Sequence, residues 1–79
     1  MEEIKAEVKA TSEGEYGMFA IALSDKVKGS ITFSLNNDVW QDNSFPEKGT
    51  IVVLSELRKK KAGWRAKSAR FLTPDDEKE

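Results

Sequence analysis

Positive side chains are concentrated in residues 58–70 of this sequence, a segment with seven basic residues and no acidic one. The basic residues are Arg58, Lys59, Lys60, Lys61, Arg65, Lys67 and Arg70. An aromatic residue, Trp64, lies inside the run. Clustered cations neutralise phosphates and an aromatic ring can stack on a base, so this combination is typical of proteins that follow a phosphate backbone. The segment predicts an anionic partner, although the chain as a whole has a formal net charge of −1.

A structural interpretation of the same segment stays open. A lysine-rich turn also keeps the end of a β-hairpin solvated and discourages aggregation through strand edges. Trp64, in turn, can cover the end of a barrel instead of contacting a base.

Catalytic chemistry has few candidate residues. The chain contains no histidine and no cysteine, which removes the usual general base, the thiolate nucleophile and the commonest metal ligands. The acidic residues Glu13, Glu15, Asp38 and Asp42 fall in predicted turns, where solvated carboxylates are the rule. No phosphate-binding loop or nucleophile elbow accompanies them. We therefore expect no enzymatic activity, no bound metal and no cofactor.

The elements that position the basic segment are predicted to be strands. Apolar residues alternate with polar ones, or β-branched residues cluster, in five stretches. These are residues 3–11, 16–21, 30–35, 50–55 and 64–72, with a long loop over 36–48. We assign Phe19, Phe33, Val52 and Leu54 to the core. Trp40 is predicted to anchor the loop. In the last strand, Ala66, Ala69 and Phe71 are predicted to face inward around a slip in the alternation. A helix over 54–70 is disfavoured because Gly63 lies in its middle.

Chain length allows one hydrophobic core. We predict an all-β domain over residues 1–73, a small closed five-stranded antiparallel barrel, followed by an acidic, disordered tail over 74–79. No apolar run approaches the length of a membrane span, and the acidic start Met1-Glu2-Glu3 is unlike a signal peptide. A cytoplasmic location is the resulting expectation.

The order of short motifs resembles a degenerate cold-shock domain. Val8-Lys9 and then Tyr16-Gly17-Met18-Phe19 are similar to the motifs on that family's first two strands. Gly49, Val52 and Leu54 match its fourth strand, and the segment from Gly63 to Ala69 resembles its ending. The resemblance extends over residues 4–72.

The resemblance implies an OB-fold with a base-binding face on its open side. On this face it places Lys9, Tyr16 and Met18, with Phe19 and Ile21 pointing into the barrel. The family's other surface aromatics are replaced here by Ala10, Thr32, Ser34 and Leu35, so the stacking platform is reduced.

Together these features predict binding of single-stranded RNA or DNA with low sequence specificity. The predicted contact residues are Lys9, Tyr16, Met18, Arg58, Lys60, Lys61, Trp64, Arg65 and Lys67. The alternative is a protein-interaction module, in which Met18, Leu35 and Trp40 dock an apolar partner. Salt distinguishes the two, because phosphate binding weakens steeply as salt rises and apolar docking does not.

Overall fold

Five strands form the fold in a computed structural model that describes residues 3–15, 17–36, 38–61 and 63–73. They are β1 (Glu3–Gly14), β2 (Gly17–Leu23), β3 (Ile31–Ser34), β4 (Ile51–Lys60) and β5 (Gly63–Phe71). The strands close into a barrel in the order β1-β2-β3-β5-β4, with β4 pairing back onto β1. The prediction of an all-β, closed five-stranded barrel is confirmed. The described residues contain no helix that is long and apolar enough to cross a membrane.

The prediction of a wholly antiparallel barrel is wrong, because β3 and β5 pair in parallel through Ile31 with Trp64 and Thr32 with Arg65. The reason lies in the closure of the barrel. Because β1 pairs antiparallel with both β2 and β4, their outer neighbours β3 and β5 both run in the direction of β1. Bringing those two strands together therefore gives one parallel contact in a mixed sheet.

Two hairpins extend further than the sequence pattern predicts. β1 continues to Gly14 instead of ending at residue 11, and β4 continues to Lys60 instead of ending at residue 55. Antiparallel pairing of β4 with β5 runs as far as Lys60 opposite Gly63. Lys59 and Lys60 therefore belong to β4. Of the three consecutive lysines, Lys61 lies in the turn. The helical alternative over 54–70 is excluded by the same pairing.

The barrel interior matches large residues with small ones across the β2–β3 pair. Ala20 lies opposite Phe33 and Ala22 lies opposite Ile31, and all four are fully buried. A barrel of five strands has a narrow interior, so bulky side chains on one strand require small ones on its neighbour. The alanines of β2 therefore face inward.

The inward alanines reverse the predicted orientation of β2. Because side chains alternate along a strand, Phe19 and Ile21 point outward, and both are only half-buried. The assignment of Phe19 to the core is wrong, whereas Phe33, Val52 and Leu54 are confirmed as fully buried.

An irregularity in β1 has a similar consequence. The register shifts between Val8, which pairs with Ala22, and Ala10, which pairs with Ile21. Lys9 is the extra residue of this bulge. Ala10 is exposed as a result, so the alternation predicted for residues 4–10 ends at Val8.

A second change of phase occurs on β4. Glu56 has a positive φ of 55°, and buried Leu54 before it and half-buried Leu57 after it both pack with the core. Opposite them, Ala69 and Ala66 are buried, with Lys67 and Ser68 between them. The predicted slip in the last strand is thus confirmed.

Trp40 anchors the long loop, as predicted. Its side chain is 3% exposed, stacks on Phe33 at 5.8 Å between ring centroids, and meets Phe71 edge-on at 4.9 Å. The indole Nε1 donates a hydrogen bond to the Ser44 carbonyl at 2.7 Å. The backbone N–H of Ala69 donates to the Val39 carbonyl at 3.0 Å. The loop is therefore fixed onto β5.

Gly63 positions the start of β5 against the segment that leads into β3. Its φ is +143°, and a Cβ placed there would lie 2.4 Å from the Ser30 carbonyl oxygen. The next residue, Trp64, donates its backbone N–H to that oxygen at 2.9 Å. Only glycine permits this close approach. The predicted tail over 74–79 lies outside the described residues.

Candidate nucleic-acid interface

Four cations share one surface of the β4–β5 hairpin, which we call the basic hairpin face: Arg58, Lys60, Arg65 and Lys67. The register places Arg58 directly opposite Arg65. Buried Ala66 separates Arg65 from Lys67, so alternation turns both cations outward. All four line a depression of about 390 Å³, together with Asp38, Val39 and Ala66.

No ion pair neutralises the cations of the basic hairpin face within the described part of the chain. The two ion pairs found there are Lys9–Glu7 and Arg70–Glu3, and neither involves this face. Asp38 lines the depression but forms no ion pair with the four cations. Like charges directly opposite each other destabilise a strand pair. The Arg58–Arg65 rung therefore costs folding free energy that an anionic ligand would recover.

An outward aromatic side chain lies beside this face. The Phe19 ring packs over Gly14, because a Cβ added there would lie 3.1 Å from Phe19 Cε1. Phe19 also pairs with Ser34 on β3. The ring borders a second depression of about 200 Å³, which we call the aromatic depression. Its lining residues are Gly14, Glu15, Gly17, Met18, Phe19, Ser34 and Arg65.

Arg65 joins the two depressions, since it lines both. The pairings connect them across the sheet: Phe19 with Ser34, then Thr32 with Arg65, then Arg65 with Arg58. One continuous surface thus runs from β2 across β3 and β5 to β4. It combines an aromatic ring with cations that form no ion pair with any described residue.

The structure brings together most, but not all, of the predicted contact residues. Arg58, Lys60, Arg65 and Lys67 form the basic hairpin face. Met18 is 37% exposed and lines the aromatic depression. Lys61 is exposed in the turn directly after Lys60. Tyr16 lies outside the described residues.

Lys9 does not join this surface. Its Nζ pairs with Glu7 Oε2 at 3.3 Å, and its side chain borders a different depression formed with Leu23, Asp25 and Val27. The predicted position came from the cold-shock resemblance, which does not include the bulge that the structure shows at Lys9.

Trp64 packs against the body of the barrel. It is half-buried and packs against the core cluster, and its Nε1 donates to the Lys28 carbonyl at 3.0 Å. Lys59 Nζ lies 5.2 Å from the ring centroid, within range of a cation–π contact. Of the two interpretations of Trp64, this geometry favours the covering role.

Phe19 was missed as a surface aromatic by the sequence interpretation. A usable signal was present, because Ala20 and Ala22 alternate with Phe19 and Ile21. Small residues suit the inside of a narrow barrel once Phe33 and Ile31 occupy it. Resemblance to an aromatic-glycine motif favoured the opposite phase.

The apolar docking face of the alternative function is not present as predicted. Leu35 and Trp40 are 4% and 3% exposed and belong to the core. Only Met18 of the three is exposed.

Comparison with known proteins adds no assignment. No family model matches the chain, and neither curated proteins nor solved structures give a significant match. Membership of the cold-shock family therefore stays a prediction.

Proposed function

We propose that this protein is an OB-fold barrel that binds single-stranded nucleic acid on the surface shared by Phe19 and the basic hairpin face. Five strands closed in the order β1-β2-β3-β5-β4 support the fold assignment. The surface includes β2 and β3 and both hairpin ends, the regions that OB-folds use for oligonucleotides. The cold-shock resemblance is compatible with this proposal and is not required by it.

The observation that carries the proposal is the combination at Arg65. Arg65 lines both the depression at the basic hairpin face and the aromatic depression. A phosphate held by Arg58 and Arg65 would lie beside a ring on which the attached base can stack. Neither a solvated turn nor a protein-docking patch requires that juxtaposition.

Single strands fit this surface better than duplexes. A base stacks on Phe19 only when its face is free, which excludes bases that are stacked inside a helix. Stacking and phosphate contacts do not read base edges, so we infer low sequence specificity. RNA and DNA both satisfy these requirements.

The test is a titration of labelled oligonucleotides of about eight nucleotides, a length within the site sizes of OB-folds. Fluorescence anisotropy is followed at low and at moderate salt. We expect saturable binding that weakens steeply with salt, for pyrimidine-rich and mixed sequences alike. The double variant Arg58→Glu/Arg65→Glu should bind roughly a hundredfold more weakly, because two charge-assisted contacts are replaced by repulsion.

A matched control separates the local effect from net charge. Lys26→Glu/Lys48→Glu changes the total charge equally, at exposed positions away from the basic hairpin face. It should retain binding within about threefold at moderate salt, since distant exposed charges are largely screened. Equal losses in the two double variants, or no binding by the unaltered protein at low salt, would refute the proposed site.

A further inference from the structure

Two guanidinium groups share a single rung of the basic hairpin face. Arg58 and Arg65 are directly opposite on β4 and β5, and directly opposite residues in an antiparallel pair have Cβ atoms about 5 Å apart. Both side chains point out of the barrel into the same depression. This rung concentrates two positive charges where a typical phosphate contact supplies one.

The charge of the ligand can be matched to this rung. An internal phosphodiester carries one negative charge and leaves one guanidinium uncompensated. A terminal phosphomonoester carries about −1.5 to −2 at neutral pH and presents three oxygens, enough to accept from both arginines. Arginine forks bind such groups through paired hydrogen bonds. The rung therefore suits the phosphorylated end of a strand better than its interior.

The position of Asp38 also favours a compact anion as the ligand of the rung. This acidic residue lines the depression together with the four cations. A carboxylate there disfavours several consecutive phosphates, whereas a single doubly charged group held between the arginines still gains more attraction than repulsion. One compact anion fits this charge pattern better than an extended backbone.

The aromatic depression gives that anion a neighbouring base site. Phe19 lies two strands from Arg65, about 10 Å across the sheet at the usual strand spacing, and its partner Ser34 is two residues along β3 from Thr32, the partner of Arg65. Because Arg65 borders the aromatic depression directly, a phosphate on the rung and a base on Phe19 can belong to the same terminal nucleotide. From this juxtaposition we propose that the site recognises the phosphorylated terminus of a single strand, an inference that rests on the proposed function.

The experiment compares three versions of one oligonucleotide: 5′-phosphorylated, 3′-phosphorylated and with hydroxyl groups at both ends. We expect one phosphorylated end to bind roughly tenfold more tightly than the hydroxyl version, the gain from one additional charge-assisted contact. A hydroxyl-ended strand two nucleotides longer has nearly the same total charge and controls for it. That strand should bind more weakly than the preferred phosphorylated one.

Arg58→Gln and Lys48→Gln form the matched pair of variants. Arg58→Gln should lower the preference for the phosphorylated end below about threefold and keep binding of the hydroxyl-ended strand measurable, because Arg65 and the lysines remain. Lys48→Gln should keep the full preference. Equal affinity for all strands of equal charge overturns end recognition while leaving strand binding intact. Absence of binding to every strand instead contradicts the proposed function itself.

Discussion

Two charged surfaces of this barrel differ in whether their charged side chains form ion pairs. On the outer side of β1 acidic and basic residues alternate, and ion pairs tie Glu7 to Lys9 and Glu3 to Arg70 at 3.3 and 3.4 Å. We call this the paired face. On the basic hairpin face four cations have no acidic partner among the described residues.

The size of the depressions does not explain that difference. The paired face borders the larger depression, about 610 Å³ against about 390 Å³ at the basic hairpin face. Neutralised charges, however, offer little to an anion, whereas the directly opposite cations Arg58 and Arg65 are unfavourable for folding and open to one. Charge pairing, and not volume, distinguishes the candidate site from the rest of the surface.

Gly63→Ala should have the largest effect, because it removes the geometry on which the basic hairpin face depends. A Cβ would lie 2.4 Å from the backbone oxygen of Ser30, in a strained region of φ. We expect a loss of about 2–4 kcal/mol in the free energy of unfolding, measured by denaturant titration. Gly49→Ala is the control: φ is +92° but nothing lies within 4 Å, so about 1 kcal/mol is expected. Similar losses at the two glycines would argue against the close contact with Ser30.

Phe19→Ala tests the aromatic end of the site. We expect nucleic-acid affinity to fall roughly tenfold, because stacking contributes about 1–3 kcal/mol per base. Ile21→Ala is the control, since Ile21 faces the same side of β2 but does not line the aromatic depression. Affinities measured by anisotropy should separate the two variants. If Ile21→Ala weakens binding as much as Phe19→Ala, general loss of apolar surface is the cause.

Lys60→Glu/Lys61→Glu tests whether the hairpin end contributes through charge alone. Affinity should fall by a similar factor for every oligonucleotide sequence, because phosphate contacts carry no sequence information. The slope of log affinity against log salt should also decrease by about 1.4, the value for two contacts on a single strand. The control is Lys5→Glu/Lys26→Glu, at two lysines that line the depression beside the paired face, and for it we expect an unchanged slope. Unchanged binding in the Lys60/Lys61 variant would remove the hairpin end from the site.

The sequence predicts the strands better than it predicts which way their side chains point. Periodicity and β-branched residues locate all five strands, and the position of Trp40 as an apolar residue within a polar loop predicts its anchoring role. The predicted orientation of Phe19 was wrong because both alternating sets of side chains on β2 contain apolar residues. Only the volume of Phe33 on the neighbouring strand decides which set faces inward. The resemblance placed Lys9 beside Tyr16 and Met18 because it does not include the bulge in β1, and a bulge leaves no reliable mark in an alternating sequence.

The basic cluster was the most predictable part of the site, for a local reason. Arg58, Lys60, Arg65 and Lys67 lie on two strands joined by a tight turn, so sequence proximity implies spatial proximity. Their junction with Phe19 depends on the parallel contact between β3 and β5, which joins residues that are distant in sequence. No pattern within one segment encodes that contact.

Arg58→Glu should have the smallest effect on stability, and that effect should be opposite in sign to its effect on affinity. The variant converts the Arg58–Arg65 rung into an opposite-charge pair, which on an exposed strand pair contributes a few tenths of a kcal/mol. We therefore expect unfolding stability to rise slightly while nucleic-acid affinity falls. Lys9→Glu on the paired face should do the reverse, with a small loss of stability from its broken ion pair with Glu7 and no loss of affinity. Denaturant midpoints and anisotropy, measured on both variants at low salt, give the direction of the change in stability and in affinity for each variant. A stability loss in Arg58→Glu would mean that the rung is not strained, and the functional reason for leaving those cations unpaired would disappear with it.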